Sequence, residues 1–336
     1  MEEPFCVSRG MRYTHIDIAR GIAILLVVLG HCCQSADIAL NRVILSFHMP
    51  LFFFLSGVFA KSETVKTLLG GAFLKAKKLL IPQVTLSVTI IMLKGALWLA
   101  EGKSMLDFDY LACFGFWFLP VLFLCSICYM IVSAIIDLHK TPFKVLTMII
   151  AMSIGVIIIL NHVASEIVPV DWLIKSTVAM PFYFGGSFFK ERVLRINNQQ
   201  RRADNMFLIL LLPIIVILSQ INTPVKMYEN EYGIMPLFFL TSVLGIVLVV
   251  ELSKRLVNMP VLLEFGKLSI AVYVWNFLVV GFSLRILNRI LLMFGLDNRD
   301  ILTAATFSVS IIILYLLSKW TYNKLPYLYG LKKTHI

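Results

Sequence analysis

The stretch Asp17-Ile-Ala-Arg20-Gly-Ile-Ala-Ile-Leu-Leu-Val-Val-Leu-Gly-His31 decides the fold, because it is almost wholly apolar and belongs to a run long enough to cross a bilayer. About 20 apolar residues span the hydrocarbon core as a helix. Similar runs recur along the chain, so the predicted fold class is all-α, a polytopic transmembrane helix bundle. Ten spans are predicted, at 16–34, 43–60, 79–99, 116–136, 143–160, 176–189, 206–220, 235–250, 266–284 and 301–318.

The composition of the 336 residues excludes an ordinary soluble fold, because 59% are hydrophobic, 15% are charged and the mean hydropathy is +0.88. Soluble domains are about 45–50% apolar and about 25% charged. The net charge of +11 would suggest a nucleic-acid partner in a soluble protein. Here the basic residues fall in short loops, so membrane lipid is the expected partner and nucleic acid is not. The six cysteines form no second CxxC pair, so we expect no metal site.

The distribution of basic residues predicts the orientation. Of the 30 Lys and Arg residues, 21 lie in the N-terminal tail and the loops after the even-numbered spans, and 7 lie in the other loops. Cytoplasmic loops carry such an excess, so both termini are predicted to be cytoplasmic. We expect a single membrane domain over 1–336, whose first helix is retained rather than cleaved. Pro181, Gly185 and Gly186 predict a short, broken or tilted sixth span.

The first span carries three ionisable residues, Asp17, Arg20 and His31, which are costly within a membrane and therefore candidates for function. Arg20 and His31 are eleven positions apart, about three turns, so both lie on one helix face about 16 Å apart along the axis. Asp17 lies one turn before Arg20, in reach of an ion pair. The alternatives are that Arg20 is a snorkelling anchor and that His31 is a polar residue at a helix end.

Polar residues in other spans extend this set of candidates. His48 lies close to the beginning of the second span, at a depth similar to that of His31, so the two imidazoles could share a site. Asn276 lies within the ninth span and must find a partner. Trp117, at the start of the fourth span, also fits an interfacial aromatic belt. Lys94, in the third span, fits a snorkelling residue better than a catalytic one.

Several of these stretches resemble the acyltransferase 3 family of membrane O-acyltransferases, whose first helix carries an Arg, ten residues and a His. Phe47-His48-Met49-Pro50 and the residues after it are similar to the second helix of the branch named for fucose 4-O-acetylase. Weaker similarities cover most of the rest of the chain. They are the basic loop ending in Lys75, Lys77 and Lys78, the stretch Trp117-Phe118-Leu119-Pro120, and two later motifs at 181–186 and 266–270.

The resemblance implies transfer of an acyl group, usually acetyl, from cytoplasmic acyl-CoA to a hydroxyl of a cell-surface glycan or its lipid-linked precursor. It implies a bacterial inner-membrane enzyme with acyl-CoA as co-substrate and no other cofactor. The implied roles are catalytic for Asp17, Arg20 and His31, donor-binding for Arg20, Lys75, Lys77 and Lys78, and substrate-binding for His48, Trp117 and Asn276. Many relatives carry a histidine where this chain has Asn276, so no catalytic role is carried over to that position.

Two questions stay open at this level. His31 could act as a general base or accept the acyl group first. The chain could also be a transporter of a glycan or lipid intermediate, for which inverted repeats would be expected, or a noncatalytic partner of a polysaccharide synthase. The sequence shows no clear internal repeat, which favours the enzyme.

Overall fold

The computed structural model describes residues 13–33, 35, 38–100, 116–135, 168–196 and 201–331, and within these the regular elements are helices. The only β-type pairing in that part of the chain is an isolated bridge between Lys226 and Glu231. The predicted all-α class is therefore confirmed for the described residues. The helices are α1 Thr14–Cys32, α2 Ala39–Gly57, α3 Leu68–Ala100, α4 Phe118–Ile135, α5 Val168–Phe188, α6 Lys190–Leu194, α7 Arg201–Ile221, α8 Met235–Arg255, α9 Pro260–Lys267, α10 Ser269–Met293 and α11 Arg299–Lys324.

Seven helices in the described ranges are long and apolar enough to cross a membrane, which makes the chain a multi-pass membrane protein. A shorter apolar helix covers Phe207–Ile221. The predicted span at 143–160 lies outside the residues that the structure describes. The seven are Thr14–Cys32, Ala39–Gly57, Leu68–Leu93, Phe118–Ile135, Met235–Arg255, Ser269–Met293 and Arg299–Lys324.

The expectation of a short, broken sixth span is wrong. Helix α5 is continuous from Val168 to Phe188 and contains Pro181 in its interior. Neighbouring helices and local adjustments can satisfy the carbonyl that a proline frees, so a proline need not break a membrane helix. Lys175, which the sequence places in a loop, lies within α5, is buried and pairs with Asp171.

The basic cluster Lys75, Lys77 and Lys78 also lies elsewhere than predicted. These residues belong to helix α3 rather than to the loop before it. Arg285 and Arg289, likewise assigned to a loop, lie within α10. An apolar run marks only the part of a helix that crosses hydrocarbon, whereas long basic side chains let the helix continue into the interface. Hydropathy alone therefore placed these helix ends too early or too late.

Helix α1 lies at the centre of the bundle and packs against α2, α8, α9, α10 and α11. Its closest partner is α9, where the two backbones touch. A Cβ atom at Gly21 would overlap the carbonyl of Leu262, and one at Gly266 would overlap the carbonyl of Asp17. Small residues permit such close approach in membrane bundles, where packing rather than hydrophobicity holds helices together.

Helices α2 and α5 make a second contact of this kind. A Cβ atom at Gly57 would overlap the carbonyl of Tyr183, and one at Gly186 would overlap the carbonyl of Phe54. Helix α4 joins the pair through a hydrogen bond between the hydroxyls of Tyr129 and Ser187, at 2.6 Å. These contacts hold α2, α4 and α5 as one rigid unit beside α1.

Candidate active site

A cavity of about 650 Å³ lies between α1, α2, α3, α4 and α10. Its wall includes five residues that the sequence singled out, four of them on three different helices and one directly before α4. These are Arg20, His31, His48, Trp117 and Asn276. The cavity is largely apolar in its lining, with these polar side chains at separate points, which is the usual composition of a small-molecule site.

The wall contributed by α1 follows one face of that helix. Arg20, Ile24, Val27 and His31 all line the cavity, at spacings of four, three and four residues. That spacing places side chains above one another on a helix. The cavity therefore runs along α1 from Arg20, close to its beginning, to His31 at its end.

The Arg20 end of the cavity is electrostatically positive. Arg20 Nη1 donates to Asp17 Oδ1 at 3.3 Å, and the guanidinium lies 5.0 Å from the centre of the Phe59 ring. Asp17 is buried beside the cavity rather than in its wall. Lys75 interacts electrostatically with Arg20. Lys75, Lys77 and Lys78 are not part of the wall, so the structure places the basic cluster next to the cavity and not inside it.

His48 is held in one orientation by its own helix. Its side chain is buried, and Nδ1 lies 2.7 Å from the carbonyl oxygen of Ile44. A carbonyl only accepts, so Nδ1 carries the proton and Nε2 of the neutral ring keeps its lone pair. His31 and His48 both line the cavity, so the structure brings the two imidazoles to one site, and their similar depth in the membrane stays a prediction.

Asn276 lies in the cavity wall. Its side chain is 2% exposed, and its Oδ1 has no hydrogen-bond partner among the described residues. The expectation that this carboxamide finds a partner stays a prediction. The residues beside it on the wall, Tyr273 and Phe277, present aromatic rings.

Trp117 packs inward. Its ring lies 6.3 Å from that of Phe53 and 6.3 Å from that of Phe118, and the residue lines the cavity. An outward-facing position in an aromatic belt does not describe this placement. Trp117 therefore lies in the cavity wall, and its implied role in substrate binding stays a prediction.

The sequence analysis missed the segment between α7 and α8, which contributes Met227 and Tyr228 to the cavity wall. Tyr228 is half exposed. Asn230 has a left-handed backbone, with φ of 60°, and its Nδ2 donates to Asp171 Oδ1 at 2.8 Å. No pattern in the sequence marks this loop, because it is anchored to α5 by contacts distant in the chain.

Hydrogen bonds and ion pairs within the loop also hold its shape. The backbones of Lys226 and Glu231 bond to each other at 2.7 and 3.1 Å. The Lys226 ammonium lies 2.9 Å from Glu229 and 3.0 Å from Glu231, and these hydrogen bonds raise the pKa of Lys226 above its ordinary value. The loop that carries Tyr228 is therefore ordered by its own charges as well as by α5.

Asn41 is a second residue that the sequence analysis missed. It lines the cavity beside Gly30, where a Cβ atom would lie 3.3 Å from Asn41 Oδ1. Its Nδ2 donates to the Ser35 carbonyl at 2.9 Å, and its buried Oδ1 has no partner in the described ranges.

No group of three His, Cys, Asp or Glu side chains that could hold a metal occurs within the described ranges.

Comparison with known protein families covers the part of the chain that forms this cavity. The family model of the acyltransferase domain called acyltransferase 3 matches residues 13–322, which includes every helix that lines the cavity. No curated protein and no solved structure matches the chain. Since the family model covers most of the 336 residues, the chain belongs to the acyltransferase 3 family.

Proposed function

We propose that the protein is a bacterial inner-membrane O-acyltransferase of the fucose 4-O-acetylase-like branch. It moves an acyl group, in the first instance acetyl, from cytoplasmic acyl-CoA to a hydroxyl of a cell-surface polysaccharide or its lipid-linked precursor. The observation that carries this proposal is a single cavity that joins Arg20 at one end of α1 to His31 at the other.

The Arg20 end suits the phosphate-rich part of the donor. Lys75 lies close enough to Lys78, Lys61 and Arg20 to be repelled by each of them, because like charges at short range repel. A polyanion relieves that repulsion, and the planar guanidinium of Arg20 can bind a phosphate with two hydrogen bonds. The thin arm of acyl-CoA then extends along the apolar wall formed by Ile24 and Val27.

The His31 end suits the chemistry. A neutral imidazole can remove the proton of an attacking hydroxyl, or accept the acyl group before passing it on. His48, with Nε2 left as an acceptor, is a second base close to the first. Trp117 and the half-exposed Tyr228 offer aromatic surface to a sugar ring at the wall of the same cavity.

The proposal includes ten spans and cytoplasmic termini. Helix α5 and the shorter apolar helix Phe207–Ile221 would cross the membrane beside the seven long apolar helices, and one further span would fall at 143–160. In that arrangement Arg20 lies near the cytoplasm, where acyl-CoA is available, and His31 lies near the outer surface, where the glycan is.

Mass analysis of surface glycans tests the proposal. Cells that carry the gene should show O-acyl groups, and these groups should disappear in cells without it and in cells that carry the His31→Ala variant at equal membrane abundance. If the glycan stays acylated without the gene, the acceptor assignment is wrong. If instead the whole glycan fails to reach the surface, the transporter alternative is favoured.

A further inference from the structure

The carboxamide of Asn276 is unsatisfied in the described structure although it is buried. Its side chain is 2% exposed and its Oδ1 has no partner there. No hydrogen bond joins its Nδ2 to a described residue either, so the NH2 group at the cavity wall is available to a bound molecule. The inference that follows rests on the proposed function and names what Asn276 binds.

The orientation of the carboxamide shows which end meets the cavity. Oδ1 is enclosed by protein while the side chain lines the cavity, so the NH2 end is the one turned toward a ligand. Asn41, the other asparagine of the wall, differs because its Nδ2 already donates to the Ser35 carbonyl. Asn276 therefore presents a hydrogen-bond donor, and a donor needs an acceptor on the ligand.

Ring contacts locate Asn276 along the cavity. The Phe52 ring of α2 lies 5.6 Å from Phe118, and Phe118 lies 5.4 Å from Tyr273, so Tyr273 is level with Phe52. Further along α10, Phe277 lies 5.5 Å from Phe116, which precedes α4. Helix α10 thus advances toward the beginning of α4.

Helices α2 and α4 run in the same direction, because Phe118 is level with Phe52 whereas Tyr129 contacts Tyr183, which touches Gly57. The beginning of α4 is therefore at the same end as the beginning of α2. Asn276 lies almost one turn beyond Tyr273 toward that end, and His48 lies about one turn before Phe52. Asn276 and His48 therefore both lie toward the end of the cavity at which α2 and α4 begin.

We propose that Asn276 Nδ2 donates a hydrogen bond to the carbonyl oxygen of the acyl thioester and to the oxyanion that forms from it. When the acceptor hydroxyl attacks, a C–O bond forms, its proton passes to an imidazole, and the carbonyl π electrons move onto the oxygen that Asn276 holds. Collapse of this intermediate breaks the C–S bond, and the leaving CoA thiolate takes the proton back from the imidazole.

Infrared difference spectroscopy with acetyl-CoA labelled with ¹³C at the carbonyl tests this role. In the purified full-length protein the labelled carbonyl band should shift to lower frequency on binding, because a hydrogen bond weakens the C=O bond. Asn276→Leu and Asn276→Ala, which have no side-chain donor, should abolish this shift. They should also lower the single-turnover transfer rate about 10²–10³-fold while acetyl-CoA affinity changes little.

Ser283→Ala is the matched control, because Ser283 is buried on the same helix and outside the cavity. It should keep both the shifted band and the rate. A shifted band that persists in both Asn276 variants overturns the inference and leaves the proposed function standing. The absence of any bound-carbonyl band in the unaltered protein instead overturns the acyl-CoA donor of the proposed function, and the role of Asn276 with it.

Discussion

Arg20 and His31 line one cavity from a single face of α1, about three turns and 16 Å apart along the helix axis. One helix therefore fixes the distance between the cationic end of the cavity and the imidazole. Because α1 is the central helix and packs against five others, this distance is rigid. A donor molecule bound at Arg20 would therefore have to extend about 16 Å along α1 to bring its acyl group to His31.

Replacing His31 should abolish transfer without abolishing donor binding. We expect His31→Ala to insert and fold normally, to bind acyl-CoA with near-normal affinity, and to lose about 10²–10⁴-fold in glycan acylation, the usual contribution of a general base. His31→Gln should be almost as slow, because an amide forms hydrogen bonds but does not take a proton at neutral pH. Acylation kinetics and acyl-CoA titration on the same preparations measure both effects.

A His31→Gln protein with near wild-type acylation would contradict this role. His31 would then only position a group, and His48 would be the first candidate for the base, because its Nδ1 bond to Ile44 leaves Nε2 free to accept a proton.

Replacing Arg20 should weaken donor binding. Arg20→Ala removes a cation of the wall, so the dissociation constant for acyl-CoA should rise, by about 10-fold for the loss of one charge-assisted hydrogen bond. Arg20→Lys should recover only part of the affinity, because an ammonium lacks the planar pair of donors. Isothermal titration calorimetry of the purified variants measures the dissociation constant for acyl-CoA. An unchanged affinity in folded Arg20→Ala would remove this residue from the donor site.

The contact between α2 and α5 should be intolerant of a single methyl group. In Gly57→Ala the new Cβ meets the Tyr183 carbonyl, a backbone atom that cannot move without shifting the helix. We expect a loss of about 1–3 kcal/mol or more in the free energy of unfolding, seen as a lower melting temperature in detergent. Gly281→Ala on α10 is the control, since no atom lies within 4 Å of its Cβ, and it should melt at or above the unaltered protein.

The orientation predicted from basic residues can be measured with reporter fusions. A reporter after Ile336 should be cytoplasmic, and one near Asp107 should be exterior; both positions lie outside the described residues. The physical reason is the excess of Lys and Arg in alternate loops. Two reporters on the same side would contradict the ten-span arrangement.

The sequence determined the local features of this protein. Length and apolarity of the runs identified most of the membrane helices, because spanning lipid is a property of one segment at a time. Periodicity placed Arg20 and His31 on one face of α1, because 3.6 residues per turn holds for any α-helix. Both arguments needed only residues close together in the chain.

Local arguments were less successful where a neighbouring element matters. The continuity of α5 through Pro181 depends on the packing around it. The need for glycine at positions 57 and 186 depends on how closely α2 and α5 approach. The place of Tyr228 in the cavity depends on Asn230 reaching Asp171 on another helix. None of these contacts leaves a periodic signal in the sequence.

Tertiary structure alone decided that His48, Trp117 and Asn276 meet Arg20 and His31 around one cavity. The sequence could name each as a polar or aromatic residue within a span, but the azimuth at which each helix faces its neighbours is set by interhelical packing. The orphaned Oδ1 of Asn276 is likewise a tertiary fact, since whether a buried carboxamide finds a partner depends on which side chains the other helices bring to it.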